Sequence, residues 1–196
     1  MKYNYYYDPY DYPHPSVTVD SVVFGYDGTR LKVLLVERGK DSHVGEWALP
    51  GGFVGIKESA EDAIIRELEE ETNLKIANDC IEQLHTYSAP NRDSRERVIT
   101  IAYYTLVNIS EVRGGDDATR AIWFPVDNVP HLAFDHNTII EDALKALWKK
   151  VWFAPDTFKL LSEKSTLKQV RHFCGSVLNM NYNCRKIIIK DETHRS

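Results

Sequence analysis

Several kinds of segment are scarce or missing in this 196-residue sequence. No run of about 18 apolar residues occurs, so no membrane-spanning helix is expected. Residues 1–15 are rich in Tyr, Asp and Pro and lack the apolar stretch of a signal peptide. The three cysteines, Cys80, Cys174 and Cys184, are too few and too scattered for a disulfide framework or a zinc site. These absences predict a cytoplasmic protein with no membrane partner.

Apolar residues make up 43% of the chain and charged residues 27%, which is typical of a globular protein with a buried core. The charge is unevenly distributed. Residues 1–150 contain 16 Lys and Arg against 25 Asp and Glu, whereas residues 151–196 contain eight against four. The basic excess at the C-terminal end suits a polyanion such as DNA, although short segments often carry such an imbalance without a function.

Hydrophobic patterning predicts alternating strands and helices up to residue 151. Helical spacing predicts helices over 60–71 and 139–151. Runs of β-branched and aromatic residues predict strands over 17–26, 31–37, 47–49, 74–76, 85–88, 98–107 and 121–126. The pattern indicates a mixed α/β domain at 16–151, preceded by a tail at 1–15 and followed by a helical segment at 152–196.

Residues 52–74 contain carboxylates at a regular spacing. The helix predicted over 60–71 places Glu67, Glu70 and Glu71 on one face, because residues three and four apart are neighbours. Three adjacent carboxylates repel each other unless cations lie between them, and oxygen ligands suit Mg²⁺ or Mn²⁺. Such a cluster can clamp a diphosphate and activate water for attack on phosphorus. For the run of glutamates alone, the alternative is a solvated helix face.

The residues before this helix fit the same interpretation. Gly51 and Gly52 let the backbone bend tightly and approach a metal or a phosphate. Ser59 is a candidate N-cap. Glu58 lies just before the helix and Arg66 lies within it, so an ion pair between them would fix the loop against the helix.

The whole segment resembles the Nudix box, Gly-x5-Glu-x7-Arg-Glu-aliphatic-x-Glu-Glu-x-Gly-aliphatic. Every fixed position of the box is matched except the last glycine, which is Asn73 here. Asn is the next best residue for a left-handed helix end. The resemblance implies an α/β/α sandwich with a mixed sheet and Mg²⁺-dependent hydrolysis of a nucleoside diphosphate derivative. It implies that the three glutamates bind metal together with the backbone of Gly52, that one of them also acts as a base, and that Glu58 and Arg66 support them.

Three segments outside the box resemble one branch of the Nudix family. They are residues 47–54, 92–95 and 134–136. This branch contains ADP-ribose pyrophosphatases and the Nudix-related transcriptional regulators. The resemblance implies a nucleotide sugar such as ADP-ribose as substrate, AMP and a sugar phosphate as products, and a homodimer.

An arginine-rich turn lies between two predicted strands. Arg92, Arg95 and Arg97 present planar guanidinium groups suited to phosphate and ribose oxygens. Glu96 in the same turn is a candidate extra metal ligand or base. The alternative is a solvated hairpin turn with salt bridges at its rim. His136 is a further candidate for substrate contact, although a packing or capping histidine is more common.

Residues 157–190 resemble the winged-helix domain of the regulators. This resemblance places Arg185, Lys186 and Lys190 near DNA phosphates and implies an alternative function, a DNA-binding regulator that senses a nucleotide or a sugar. In the regulators a β-hairpin wing follows the recognition helix. Here only six residues follow Lys190, beginning with the acidic Asp191. We therefore expect a truncated winged-helix-like segment and hydrolysis as the main function.

Overall fold

A computed structural model describes residues 14–115 and 117–153, together with Phe173 and Gly175. Strands and two α-helices alternate along this part of the chain. In order they are β1 (Ser16–Tyr26), β2 (Leu31–Arg38), β3 (Trp47–Ala48), β4 (Gly51–Phe53), α1 (Ala60–Thr72), β5 (Glu82–Tyr87), β6 (Val98–Asn108), β7 (Ala118–Pro125) and α2 (His136–Phe153). Neither of these two helices is long and apolar enough to cross a membrane.

All seven described strands belong to one mixed sheet, whose main path runs β3-β2-β1-β6-β5, with β4 paired to β1 and β7 paired to β2. β1 and β2 form an antiparallel hairpin, whereas β1 and β6 run parallel, from Ser16 opposite Val98 to Tyr26 opposite Asn108. The parallel pairing places the turn before β6 beside the start of β1. Since β4 also pairs with the first half of β1, the arginine-rich turn and the glycine strand become neighbours.

Side chains of the central strands alternate between the two faces of the sheet, and one helix covers each face. In β2, Leu31, Val33 and Leu35 pack into the cluster that contains α2, whereas Leu34 and Val36 pack into the cluster that contains α1. All five side chains are buried. The architecture is therefore an α/β/α sandwich with a mixed sheet, which confirms the predicted fold class.

The main differences from the predicted elements lie after α1. The strand predicted over 74–76 is wrong, because these residues are irregular and lead into a 3₁₀ turn, Asn78–Cys80. Leu74 is buried in the α1-side cluster directly after the helix, so packing overrides its local strand propensity. Strand β5 begins at Glu82 rather than at His85, since its first residues are polar and exposed and carry no apolar alternation.

One described residue of the C-terminal segment packs against the sandwich. Phe173 is fully buried in the α2-side cluster. Its ring meets that of Tyr26 edge to face, with 5.2 Å between the ring centroids. The predicted DNA contacts Arg185, Lys186 and Lys190 lie outside the described residues, as does most of the predicted winged-helix-like segment.

Candidate active site

Helix α1 carries the acidic cluster, and caps fix both of its ends. Ser59 Oγ accepts a hydrogen bond of 3.1 Å from the Asp62 N–H and donates one of 2.8 Å to the Asp62 carboxylate, which confirms the predicted N-cap. At the other end Asn73 has a φ of 58°, and its N–H donates to the Glu69 carbonyl oxygen. The asparagine thus takes the left-handed conformation that the box glycine would take.

The glycines of β4 lie directly against the carboxylates of α1. The Gly51 N–H donates a hydrogen bond of 2.9 Å to Glu71 Oε2. A Cβ atom at Gly52 would lie 2.5 Å from the carboxylate carbon of Glu67, and one at Gly51 would overlap the backbone carbonyl oxygen of Val19. Two consecutive glycines therefore let β4 approach both the helix and β1.

Arg66 joins the box carboxylates to each other. Its Nε and Nη2 donate to the two oxygens of Glu58 at 3.1 and 2.7 Å, which confirms the predicted ion pair. Its Nη1 donates to Glu67 at 2.7 Å and to Glu70 at 3.0 Å. The hydrogen bonds from Arg66, with a further one from the Gly55 N–H, lower the pKa of Glu58 to about 2. The loop before α1 is thus fastened to the helix through one guanidinium.

Two of the box carboxylates are shielded from water. The pKa of Glu71 is raised to about 8, mainly by burial; the Gly51 hydrogen bond opposes the shift, and the charges of Glu67 and Asp20 add to it. Burial also raises the pKa of Glu67, against the lowering effect of Arg66. Burial and mutual repulsion thus disfavour the ionised form of these carboxylates, and a bound cation would favour it.

The donor set fits a hard divalent cation. Glu67, Glu70 and Glu71 supply carboxylate oxygens, and the backbone of Gly52 lies against the carboxylate of Glu67. Among the residues that the structure describes, no three acidic, histidine or cysteine side chains are already arranged as a metal site. The guanidinium of Arg66 takes up the charge of Glu67 and Glu70 instead.

A pocket of about 270 Å³, the central pocket, opens beside the three box glutamates, which line it. Residues from β2, the loop after it, α1 and the arginine-rich turn contribute positive charge to the same space. These cationic lining residues are Arg38, Lys40, Arg66, Arg92 and Arg95. Cations opposite a carboxylate cluster suit an anion that is bound together with a metal ion.

Two of these arginines lie against one aromatic ring. The guanidinium carbons of Arg38 and Arg95 are 5.0 and 5.5 Å from the centroid of the Phe134 ring. Arg95 is held by Asp93, with Nη2 donating at 2.8 Å. Arg38 donates from Nε to the Ser42 carbonyl oxygen at 2.9 Å and has no carboxylate within 4 Å in the described part of the chain. Burial and the charge of Arg95 lower the pKa of Arg38, so an anion in the pocket would stabilise it.

A buried polar network lies beneath the pocket. Arg92, whose side chain is 4% exposed, donates to both oxygens of Asp135 at 3.0 and 2.6 Å and lies 3.5 Å from Asp20. Asp20 also lies 3.5 Å from Nε2 of His136. The Leu49 N–H donates to Nδ1 of His136 at 2.9 Å, which places the ring proton on Nε2, toward Asp20. His136 thus helps to orient a carboxylate of the central pocket.

Only the first two arginines of the turn, Arg92 and Arg95, line the central pocket. Glu96 accepts a hydrogen bond of 2.8 Å from Ser16 Oγ, and Arg97 donates to a backbone carbonyl within the turn. Neither residue lines the central pocket. Substrate roles for Glu96 and Arg97 therefore stay predictions.

Several lining residues were not among the predicted site residues, among them Asp20, Arg38 and Phe134. Asp20 has a sequence signal, because a lone carboxylate within the apolar run of β1 requires a buried partner. Arg38 follows the apolar run of β2, and Phe134 lies in a connecting loop. Neither position has a spacing that relates it to the box, since only the folded sheet brings these residues together.

Comparison with known proteins agrees with this geometry. The family model described as NUDIX domain matches residues 14–147. The chain is 41% identical over 140 residues to the ADP-ribose pyrophosphatase of Methanocaldococcus jannaschii, covering 70% of this chain and 77% of that protein. It is 28% identical over 180 residues to the ADPR responsive transcriptional repressor NtrR of Acinetobacter baylyi, covering 89% of this chain and 71% of that protein.

A solved structure gives the same relationship. The NUDIX domain of Shewanella oneidensis NrtR, crystallised in complex with ADP ribose, is 36% identical and matches with a TM-score of 0.68. The match covers 72% of this chain and 94% of that one. The family match spans most of the chain, and the sandwich fold and the acidic helix described above agree with it. The chain therefore belongs to the Nudix family.

Proposed function

We propose that this Nudix protein hydrolyses the diphosphate of a nucleotide sugar, ADP-ribose or a close relative, to AMP and a sugar phosphate. The observation that carries the proposal is the central pocket, where the box carboxylates and arginines from two other elements line one space. The carboxylates suit a divalent cation and the arginines suit phosphate oxygens. A solvated acidic helix face would not share a pocket with arginines from two other elements, of which Arg92 is buried.

The cation in this proposal is Mg²⁺ or Mn²⁺, held by Glu67, Glu70, Glu71 and the backbone of Gly52. When bound, such an ion supplies Lewis-acid stabilisation of the charge on the diphosphate. Arg66 contacts Glu67 and Glu70 through Nη1 alone, whereas Nε and Nη2 hold Glu58. Arg66 can therefore release two carboxylates to a metal and still keep the loop anchored to the helix.

The other residues of the pocket position the diphosphate. Arg38 and Arg95 bind its oxygens, because both guanidinium groups line the pocket and lie against Phe134. Arg92 is already balanced by Asp135 and acts from below as a fixed positive charge. One of the three box glutamates accepts the proton of the attacking water, as a general base.

Two relatives support ADP-ribose as the first substrate to test. One is named for the hydrolysis of ADP-ribose and is 41% identical to this chain. The other was crystallised with ADP ribose bound to its NUDIX domain. Both alignments cover more than two thirds of this chain. The family match over residues 14–147 includes the residues that line the central pocket.

The test is product identification on a small panel of diphosphates. The wild-type protein is incubated with ADP-ribose, ADP-glucose or UDP-glucose in the presence of Mg²⁺, Mn²⁺ or EDTA. The products are then separated by liquid chromatography and identified by mass spectrometry. We expect AMP and ribose 5-phosphate from ADP-ribose with either metal, and no product in EDTA. If no nucleoside monophosphate is released from any of the three diphosphates, the proposal is wrong.

A second candidate function is control of transcription by a nucleotide or sugar ligand. The similarity to the Acinetobacter baylyi repressor covers 89% of this chain. It therefore extends beyond the Nudix domain itself, since the family match is confined to residues 14–147. In this proposal Arg185, Lys186 and Lys190, which lie outside the described residues, contact DNA phosphates. A gel-shift assay on the DNA upstream of the protein's own coding sequence tests it. Sequence-specific binding at physiological salt supports it, and binding that is lost there contradicts it.

We also propose a homodimer in the cytoplasm. The dimer follows from the family resemblance, and the cytoplasm follows from the sparse cysteines, of which the described Cys80 is free. Light scattering coupled to size-exclusion chromatography measures the mass in solution. A mass of twice the 22.6 kDa of the chain supports the dimer, and a mass equal to one chain contradicts it.

A further inference from the structure

A second pocket lies beside the central one. It has a volume of about 400 Å³ and is formed by three loops, which follow β2, precede β6 and precede α2. This second space, the loop pocket, is lined by nine residues: His43, Glu46, Asn91, Arg92, Ser94, His131, Leu132, Phe134 and Asp135. Arg92 and Phe134 also line the central pocket, so the two spaces share a wall.

Phe134 forms the partition between the two pockets. Arg38 and Arg95, which contact its ring, line only the central pocket. His43, whose ring centroid lies 4.7 Å from that of Phe134, lines only the loop pocket. Phe134 also has a φ of 56°, a conformation that costs a bulky residue free energy. The ring contacts hold the partition in place despite this strain.

The loop pocket presents hydrogen-bonding groups to its interior. All of its lining residues except Leu132 and Phe134 are polar. Within the part of the chain that the structure describes, the side chains of Asn91 and Ser94 have no hydrogen-bond partner, so their donors and acceptors are free for a ligand. Glu46 pairs with His43 at 2.9 Å and keeps acceptor oxygens at the rim.

These groups suit hydroxyl groups better than a nucleobase. A base requires an apolar slot on both of its faces, and here only Leu132 and one side of Phe134 are apolar. A sugar offers several hydroxyls, each of which can donate to a carboxylate or an amide oxygen and accept from an amide or a hydroxyl. The shared Arg92 adds a positive charge to the wall between the pockets, which suits a phosphate attached to that sugar.

We infer that the loop pocket binds the sugar of the non-nucleoside half of the substrate, while the diphosphate lies in the central pocket. The inference rests on the proposed function and adds a position for the leaving sugar phosphate. Asn91 and Ser94 are its specificity-determining residues, because they bind the sugar and not the nucleotide. The affinity for ADP-ribose should therefore depend on these two side chains, whereas the affinity for ADP, which lacks the second sugar, should not.

The experiment compares ligands that differ in this sugar. Binding of ADP-ribose, ADP and ribose 5-phosphate is measured by isothermal titration calorimetry in EDTA, so that no turnover occurs. The proteins are the wild type, the double variant Asn91→Ala/Ser94→Ala, the filling variant Ser94→Tyr, and Asn128→Ala as a matched exposed control outside both pockets. Thermal melting of each variant checks its folding.

The double variant should bind ADP-ribose and ribose 5-phosphate about tenfold more weakly, because two hydrogen bonds are lost, and should bind ADP as the wild type does. Ser94→Tyr should show the same selectivity, and Asn128→Ala should show no change. If the double variant loses affinity for ADP and ADP-ribose equally, or loses affinity for neither, the inference is overturned. AMP release with Mg²⁺ is measured separately, so a wild type that binds the sugar but does not hydrolyse ADP-ribose overturns the proposed function alone.

Discussion

The Gly51 amide donates a hydrogen bond of 2.9 Å to Oε2 of Glu71 and so joins the start of β4 to the last turn of α1. The two residues are 20 positions apart in the sequence. β4 is itself paired to β1, with Gly51 opposite Asp20. One amide therefore ties the acidic helix to the strand that supplies the buried carboxylate of the central pocket.

Substitution of Gly52 should impair activity more than stability. In Gly52→Ala the new Cβ would overlap the Glu67 carboxylate, so this side chain must leave its position. We expect kcat/KM for ADP-ribose to fall at least about tenfold, with a loss of about 1 kcal/mol in the free energy of unfolding. Steady-state kinetics and urea denaturation measure the two quantities.

Gly28→Ala is the matched comparison. Gly28 has a φ of 91° in the turn between β1 and β2, and a Cβ there would meet no atom within 4 Å. The substitution should cost about 1 kcal/mol of stability through backbone strain and leave kcat/KM unchanged. If Gly52→Ala keeps full activity, the contact between β4 and Glu67 has no role in catalysis.

Asn73, where the box has glycine, should affect neither stability nor activity relative to glycine. Asn73 has a φ of 58°, which both Asn and Gly adopt but Ala resists. Asn73→Gly should change the free energy of unfolding by less than about 0.5 kcal/mol, whereas Asn73→Ala should lower it by about 1 kcal/mol. Both variants should keep wild-type kinetics. A large gain of activity in Asn73→Gly would contradict this and show that the asparagine lowers activity.

Burial of His136 should make stability depend on pH. Burial lowers the pKa of His136, so the folded state holds the ring neutral, whereas an unfolded histidine takes up a proton below about pH 6.5. The unfolded state then binds more protons, and stability is lost as the pH falls from about 6.5 toward the folded pKa. The contribution of His136 to the slope, which is the difference between the wild type and a variant without this histidine, should reach about 1.4 kcal/mol per pH unit. Glu71, whose pKa is raised, contributes a slope of the opposite sign in both proteins.

Urea denaturation between pH 5 and 7.5 measures this slope. His136→Gln keeps an acceptor for the Leu49 amide and should remove this part of the pH dependence. His131→Gln, at an exposed position, should retain it. Equal slopes in the wild type and His136→Gln would contradict the assignment.

The sequence is most informative where structure is local. The box lies on one helix with its preceding loop, and its spacing alone predicts the Ser59 cap and the Glu58–Arg66 pair. The same local reasoning fails at Leu74, whose burial depends on the sheet rather than on its neighbours in the chain. The Asn73 helix end could be anticipated because backbone conformation restricts the choice of residue there.

The wall opposite the glutamates could be predicted only in part. Asp20, Arg38 and Phe134 come from β1, β2 and the loop before α2, and they meet through strand pairing that no linear pattern specifies. The arginine-rich turn was recognisable by composition. Which of its arginines reach the pocket depends on side-chain direction, and Arg97 turns instead to a backbone carbonyl of the turn.

We propose above all that the box carboxylates of α1 form the catalytic centre of a metal-dependent diphosphate hydrolase. AMP release from ADP-ribose with Mg²⁺, compared between Glu71→Gln and Glu69→Gln, tests it most directly. Gln at 71 keeps an acceptor for the Gly51 amide but loses the carboxylate that would bind the metal ion, whereas Glu69 lies outside the central pocket and pairs with Lys75. We expect a loss of about 100-fold or more in rate for Glu71→Gln and wild-type rates for Glu69→Gln. Equal rates in the two variants would contradict it.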